Sequence, residues 1–180
     1  SGVTAMPVEL ELQSEASIRD GVAAAIEGLG GLDTLVNNAG RTLLAKVVDV
    51  TWDEWDSVMG INLKGGYFAA ARLAEHCIGE GKPGSVINIA STHGLTGLAG
   101  RSVYGISKGG LIQMARMLAI EWADAGIRVN VVAPGTVLTE SRQKLLEDPD
   151  LRARMQARIP TGNFPQAQEI ADAVLFLASA

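Results

Sequence analysis

Three short runs rich in β-branched residues, Thr34-Leu35-Val36-Asn37, Ser85-Val86-Ile87-Asn88-Ile89-Ala90 and Ile127-Arg128-Val129-Asn130-Val131-Val132, constrain this chain more than any other feature. Their hydrophobicity is continuous rather than alternating, so each predicts a strand covered on both faces, as in a parallel sheet. A shorter run from Met6 to Leu12 is a candidate further strand. Between the runs lie stretches with helical spacing, about Ser14 to Glu27, Thr51 to Gly79 and Ser102 to Ala125. Strand and helix in alternation imply crossover connections, and hence an α/β fold with a doubly wound, Rossmann-like parallel sheet.

The helix boundaries carry chemical signals of their own. Thr51 and Glu54 are spaced as a capping box, in which hydroxyl and carboxylate satisfy backbone donors that no helical carbonyl can reach. Gly126 is placed as a C-cap. Gly28-Leu29-Gly30-Gly31 follows a helix and precedes a strand, the reverse of the order a phosphate-binding turn needs, so it reads as a turn. Residues 139–160 are richer in charge, with Pro149 dividing them into two short helical pieces. Such a segment predicts an excursion over the top of the sheet, a candidate substrate lid. Trp52 and Trp55 are expected to pack against the body of the protein. Met114, Met117, Leu118 and Trp122 form a stripe expected in the core.

With 180 residues and no low-complexity linker, the chain reads as one domain, 1–180. A net charge of -5 and the absence of any Lys or Arg run speak against nucleic acid as a partner. One thiol, Cys77, excludes an internal disulfide, and no secretory h-region or long apolar stretch is present, which points to a cytoplasmic protein without a membrane anchor. His76 and His93 are the only histidines, so no metal-ligand spacing exists and no metal is expected.

Ligands of an open parallel sheet bind beyond the carboxyl ends of its strands. Those ends carry Asn37-Asn38-Ala39-Gly40, Ala90-Ser91-Thr92-His93 and Ala133-Pro134-Gly135-Thr136, small or polar residues that let backbone approach a ligand. The third helix brings Tyr104-Gly105-Ile106-Ser107-Lys108 to the same place. Residues four apart share a helix face, so the phenol and the ammonium are neighbours. A cation beside a phenol favours the phenolate and pulls its proton affinity down from the ordinary value of about 10 toward neutrality. That makes Tyr104 a candidate acid/base, and Ser91 a candidate hydrogen-bond donor to the same substrate oxygen. His93 is either a substrate contact or a loop histidine bonded to backbone. Arg41 reads as a solvated surface residue.

The Asn-Asn-Ala-Gly turn, a Ser 13 positions before Tyr-x-x-x-Lys, and Pro-Gly after the next strand together resemble the short-chain dehydrogenase/reductase family, classical type, over nearly the whole chain. The resemblance implies hydride exchange between NAD or NADP and a secondary alcohol or ketone. It implies catalytic roles for Asn62, Ser91, Tyr104 and Lys108, with Asn62 supporting a water chain. It implies cofactor contacts from Glu11, Leu12, Asn38, Ala39, Gly40, Tyr104, Lys108, Pro134, Gly135, Val137 and Thr139. Substrate contacts would come from Ser91, His93 and Tyr104. Glu11 stands where the family usually has Asp.

Within the family, Val137 to Ser141, Leu145 to Pro149 and Ala157 to Pro160 are similar to sugar- and polyol-type dehydrogenases such as the gluconate 5-dehydrogenase group. A 3-oxoacyl-[acyl-carrier-protein] reductase is the second reading, and a non-catalytic binding or assembly subunit the third. The resemblance also implies a homodimer or homotetramer. Family members begin with a strand and a Gly-rich turn and end with a further strand, neither of which is found between Ser1 and Ala180. The expectation is therefore a sheet incomplete at both ends, from a longer enzyme, that holds a dinucleotide weakly by itself.

Overall fold

The computed structural model describes residues 3 and 5–179, apart from the side chains of 140, 141 and 145. Ser1 and Ala180 lie outside the described residues, as do the side chains of Glu140, Ser141 and Leu145 in the expected lid. Three parallel strands, β1 (Thr34–Asn37), β2 (Gly84–Ile89) and β3 (Ile127–Val132), lie in the order β1-β2-β3. Register pairs Asn37 with Asn88 and Ile87 with Asn130. The central strand is buried almost throughout, as its uninterrupted apolar run requires.

Helix α1 (Glu15–Leu29) opens on Ser14, whose hydroxyl accepts from the Ser17 amide, and closes on Gly30 in the left-handed region. Helices α3 (Gly66–Glu80) and α4 (Ser102–Glu121) pack on one face of the sheet. There Leu73, Ala74 and Cys77 meet Val86, Ala90, Leu111, Met114, Leu118 and Val129 in a single core. On the opposite face, α7 (Ala167–Ala178) receives the Ser85 hydroxyl at its Leu177 carbonyl. Helices therefore cover both faces, the doubly wound arrangement expected.

The expected helix from Thr51 to Gly79 is three pieces. Helix α2 (Trp52–Met59) starts with the capping box foreseen at Thr51 and Glu54, a π-helical stretch (Gly60–Gly65) follows, and α3 continues the rod. The π turn lets the chain bring Asn62 inward, and glycine makes it sterically possible. A Cβ at Gly65 would stand 2.6 Å from the Leu12 carbonyl oxygen, and one at Gly66 would stand 3.3 Å from the Asn37 carboxamide.

Other expectations need correction. Met6 to Leu12 forms no strand, because it lies along helices instead of beside a strand that could pair with it: Met6 covers Gly28, Leu10 covers Gly21 and Leu12 covers Gly65. Trp52 is 82% exposed, so it does not pack against the body, and Met117, at 57%, lies outside the core that takes Met114, Leu118 and Trp122. The charged excursion contains α5 (Glu140–Leu145) and α6 (Pro149–Gln156), with Pro149 opening the second. It is tied down by buried Leu146, and Phe164 is buried just after it.

Candidate active site

The site is built where α4 crosses the ends of β2 and β3. After β2 the chain turns through a short 3-10 segment (Thr92–Gly94) that lies directly on α4. Backbone meets backbone there: a Cβ at Gly94 would stand 2.7 Å from the Lys108 carbonyl carbon, and one at Gly105 would stand 3.0 Å from the His93 carbonyl oxygen. Only residues without side chains permit this approach, and it sets Ser91 and His93 beside the first turn of α4.

Tyr104, Ser107, Lys108 and Leu111 share the inner face of α4 by their spacing. Ser107 and Lys108 are buried and Tyr104 half-buried. The Lys108 Nζ lies 5.9 Å from the centre of the Tyr104 ring and donates one hydrogen bond, 2.7 Å long, to the Ile89 carbonyl. Burial lowers its pKa from 10.5 to about 8, since charge is disfavoured away from water. The His93 and Tyr104 rings meet in a T-shaped arrangement, with centroids 6.2 Å apart. Ser91, 7% exposed, accepts the His93 amide through Oγ at 3.2 Å. A hydroxyl has one proton to give, and this bond leaves it available for a substrate oxygen.

Asn62 is the hub of the site's support. Its Oδ1 accepts the Arg41 amide at 2.7 Å, while Nδ2 donates to the Arg41 carbonyl at 2.9 Å and to Ser107 Oγ at 2.9 Å. Ser107 Oγ in turn donates to the Tyr104 carbonyl at 2.7 Å. With these bonds made, the carboxamide holds the loop after β1 against the helix that carries Tyr104. Arg41 itself is turned outward, its Nη1 on the Ser57 hydroxyl at 2.8 Å. Beneath, Asn37 Nδ2 donates to the Gly66 carbonyl and to Asn88 Oδ1, binding the π turn to the sheet.

The remaining expected positions divide into two groups. Gly40 lies close to the centre: a Cβ there would be 3.4 Å from both Asn62 Oδ1 and Lys108 Nζ, so the turn Asn38-Ala39-Gly40 runs beside the ammonium. Pro134 accepts the Thr92 amide, Gly135 lines the same cavity as Ser91 and Tyr104, Val137 is half-buried, and Thr139 caps α5. Glu11 and Leu12 are elsewhere. The Glu11 carboxylate accepts the Gln13 amide in the turn before α1, and neither residue lines that cavity. Sequence reasoning assigned nothing to Ser107, although a polar residue on the apolar face of a helix, three after Tyr104, was a readable signal. It also overlooked the π turn, whose signal was glycine at 60, 65 and 66.

These residues fit a nicotinamide dinucleotide. Lys108 keeps two further N–H donors after its bond to Ile89, in a cradle that a side chain at position 40 would fill. Lys108 and Tyr104 would hold a ribose diol, with the turns at Asn38 to Gly40 and Pro134 to Val137 on either side. When bound, the nicotinamide donates or accepts the hydride.

A family model described as enoyl-(acyl carrier protein) reductase matches residues 1–180. The chain is 37% identical over 174 residues to 2-(R)-hydroxypropyl-CoM dehydrogenase of Xanthobacter autotrophicus, covering 95% of this chain and 69% of that protein. It is 37% identical over 173 residues to the 3-oxoacyl-[acyl-carrier-protein] reductase of Thermotoga maritima, covering 96% of this chain and 69% of that one. A solved Agrobacterium tumefaciens protein with bound NADP, assigned as a 2-deoxy-D-gluconate 3-dehydrogenase, matches with a TM-score of 0.87 and 34% identity, covering 94% of this chain and 67% of its own. The chain belongs to the short-chain dehydrogenase/reductase family. It is an NAD(P)-dependent oxidoreductase of the kind that interconverts a secondary alcohol and a ketone.

Proposed function

We propose that Tyr104 is the acid/base of this reaction. In the oxidising direction Tyr104 Oη takes the alcohol proton as hydride leaves the carbon; in the reducing direction it returns that proton to the carbonyl oxygen. Ser91 Oγ donates a hydrogen bond to the same oxygen and orients it. The Lys108 ammonium supports the charge on the phenol oxygen and binds the ribose. Asn62 is a positioning residue, acting through Arg41 and Ser107.

The single observation carrying this reading is that Tyr104, buried Lys108 and Ser91 converge where α4 meets the end of β2. A scaffold protein has no physical need for a buried ammonium beside a phenol, so the reading as a non-catalytic subunit is the weaker one. A sugar- or polyol-type substrate fits the polar cavity better than a long acyl chain, since threonines, Ser91 and arginines line it. Residues 139–160 act as a lid over this cavity, to which Arg142, Met155 and Arg158 contribute. The enzyme works in a reducing cytoplasm, with Cys77 free.

The test is Tyr104→Phe in the intact protein. The expected result is loss of NAD(P)-linked turnover on the order of a hundredfold or more, with the circular dichroism spectrum unchanged. Retained turnover in a folded variant would remove Tyr104 from the chemistry.

A further inference from the structure

The cavity beside Tyr104 has a charge opposite to that of the molecule. The chain carries a net charge of -5, yet Arg101, Arg142 and Arg158 line the cavity of about 430 Å3 that Ser91 and Tyr104 share, and among the described residues no Asp or Glu lines it. The three arginines come from the start of α4, from α5 and from the loop after α6, so they meet only through the fold. Arg101 is partly engaged, with Nη1 3.4 Å from the Leu43 carbonyl. Among the described residues the guanidinium groups of Arg142 and Arg158 have no hydrogen bond and no ion pair.

Arg101 and Arg142 are half-buried, while Arg158 is exposed. Gathering three around one cavity, with no carboxylate among its described lining residues, is unfavourable in the empty protein, because like charges repel. Their field reaches the site: burial first, then Arg101, Arg158 and Arg142, keeps the His93 imidazole below its ordinary pKa. His93 Nδ1 is buried there without a hydrogen-bond partner among the described residues.

We propose that the substrate carries an oxyanion, a carboxylate or sulfonate, which Arg142 and Arg158 hold in the same cavity where Ser91 and Tyr104 receive its reacting oxygen. This rests on the assignment of Tyr104 above and names the second functional group of the molecule it acts on. A guanidinium fork matches such a group with two parallel hydrogen bonds, and two-point attachment fixes the reacting carbon in one orientation. Arg101, held by Leu43, adds to the field.

The experiment is calorimetric titration of the intact protein with butane-1-sulfonate, with butyrate, and with butyl methyl sulfone, a neutral molecule of similar shape to the sulfonate. The sulfonate or the butyrate is expected to bind, whichever binds identifying the anion, and the sulfone to bind at least about tenfold more weakly. Arg142→Gln/Arg158→Gln should abolish that difference, and raised ionic strength should narrow it in the unaltered protein. Equal binding of charged and neutral probes, a difference that survives the double substitution, or displacement of the anion by NADP would overturn the proposal, the last because the arginines would then serve the dinucleotide's phosphates. Tyr104→Phe separates the two readings. It should bind the anion as before while turnover is lost; turnover that persists refutes the role of Tyr104 and leaves the anion site standing.

Discussion

Burial brings the Lys108 pKa down to about 8, so its charge is exchangeable within a range where the protein can be studied. In the unfolded chain the same amine titrates near 10.5, so between the two values the unfolded state binds more protons and stability rises with pH. The penalty for burying the cation is full below about 8 and gone above 10.5. Urea unfolding should show this slope between about pH 8 and 10.5 and none below, and Lys108→Met should remove it. Cofactor affinity should run the other way, weakening as pH rises through the same range, because the neutral amine no longer attracts the dinucleotide. Asn62→Leu should cost about 2–4 kcal/mol by leaving the Arg41 amide and carbonyl unpartnered, measured by chemical unfolding. Tyr104, Lys108 and Ser91 were legible in the sequence because helix periodicity and a strand terminus are local signals. Arg142 and Arg158 were read as part of a charged lid, since only tertiary folding brings them to Arg101.

Among the elements, the strands were readable because each is a short apolar run enclosed on both sides. The rod from Trp52 to Glu80 was read as uniform helix because a π turn leaves hydrophobic spacing nearly intact while changing which carbonyl each amide meets. The run at Met6 to Leu12 had the composition of a strand, but a strand exists only where a second one offers its amides. The junction of Thr92–Gly94 with α4 is the least forgiving part of this architecture. All three atoms nearest to a Cβ at Gly94 are backbone, within 2.8 Å. Gly94→Ala should therefore push the turn off α4, lowering kcat through a misplaced Ser91 more than it lowers the melting temperature. A thermal melt beside steady-state kinetics measures both.

At the level of the molecule, Met59, Leu63, Tyr67, Phe68, Gly110 and Met117 border an apolar groove between the rod and α4. A second subunit of a homodimer or tetramer would cover it, and Met117→Lys should shift the intact protein toward monomer in sedimentation measurements. The same rod serves both sides: Asn62 faces the chemistry, and Leu63 and Tyr67 border the groove. Removing one residue between Gly60 and Gly65 would close the rod into an unbroken α-helical ladder and withdraw the bulge that carries Asn62. Such a shortened protein would have a more regular helix and would lose the bonds by which Asn62 ties Arg41 to Ser107. A single surplus residue, stored as a wider turn, is thus what lets an otherwise ordinary rod reach across and brace the helix bearing the phenol.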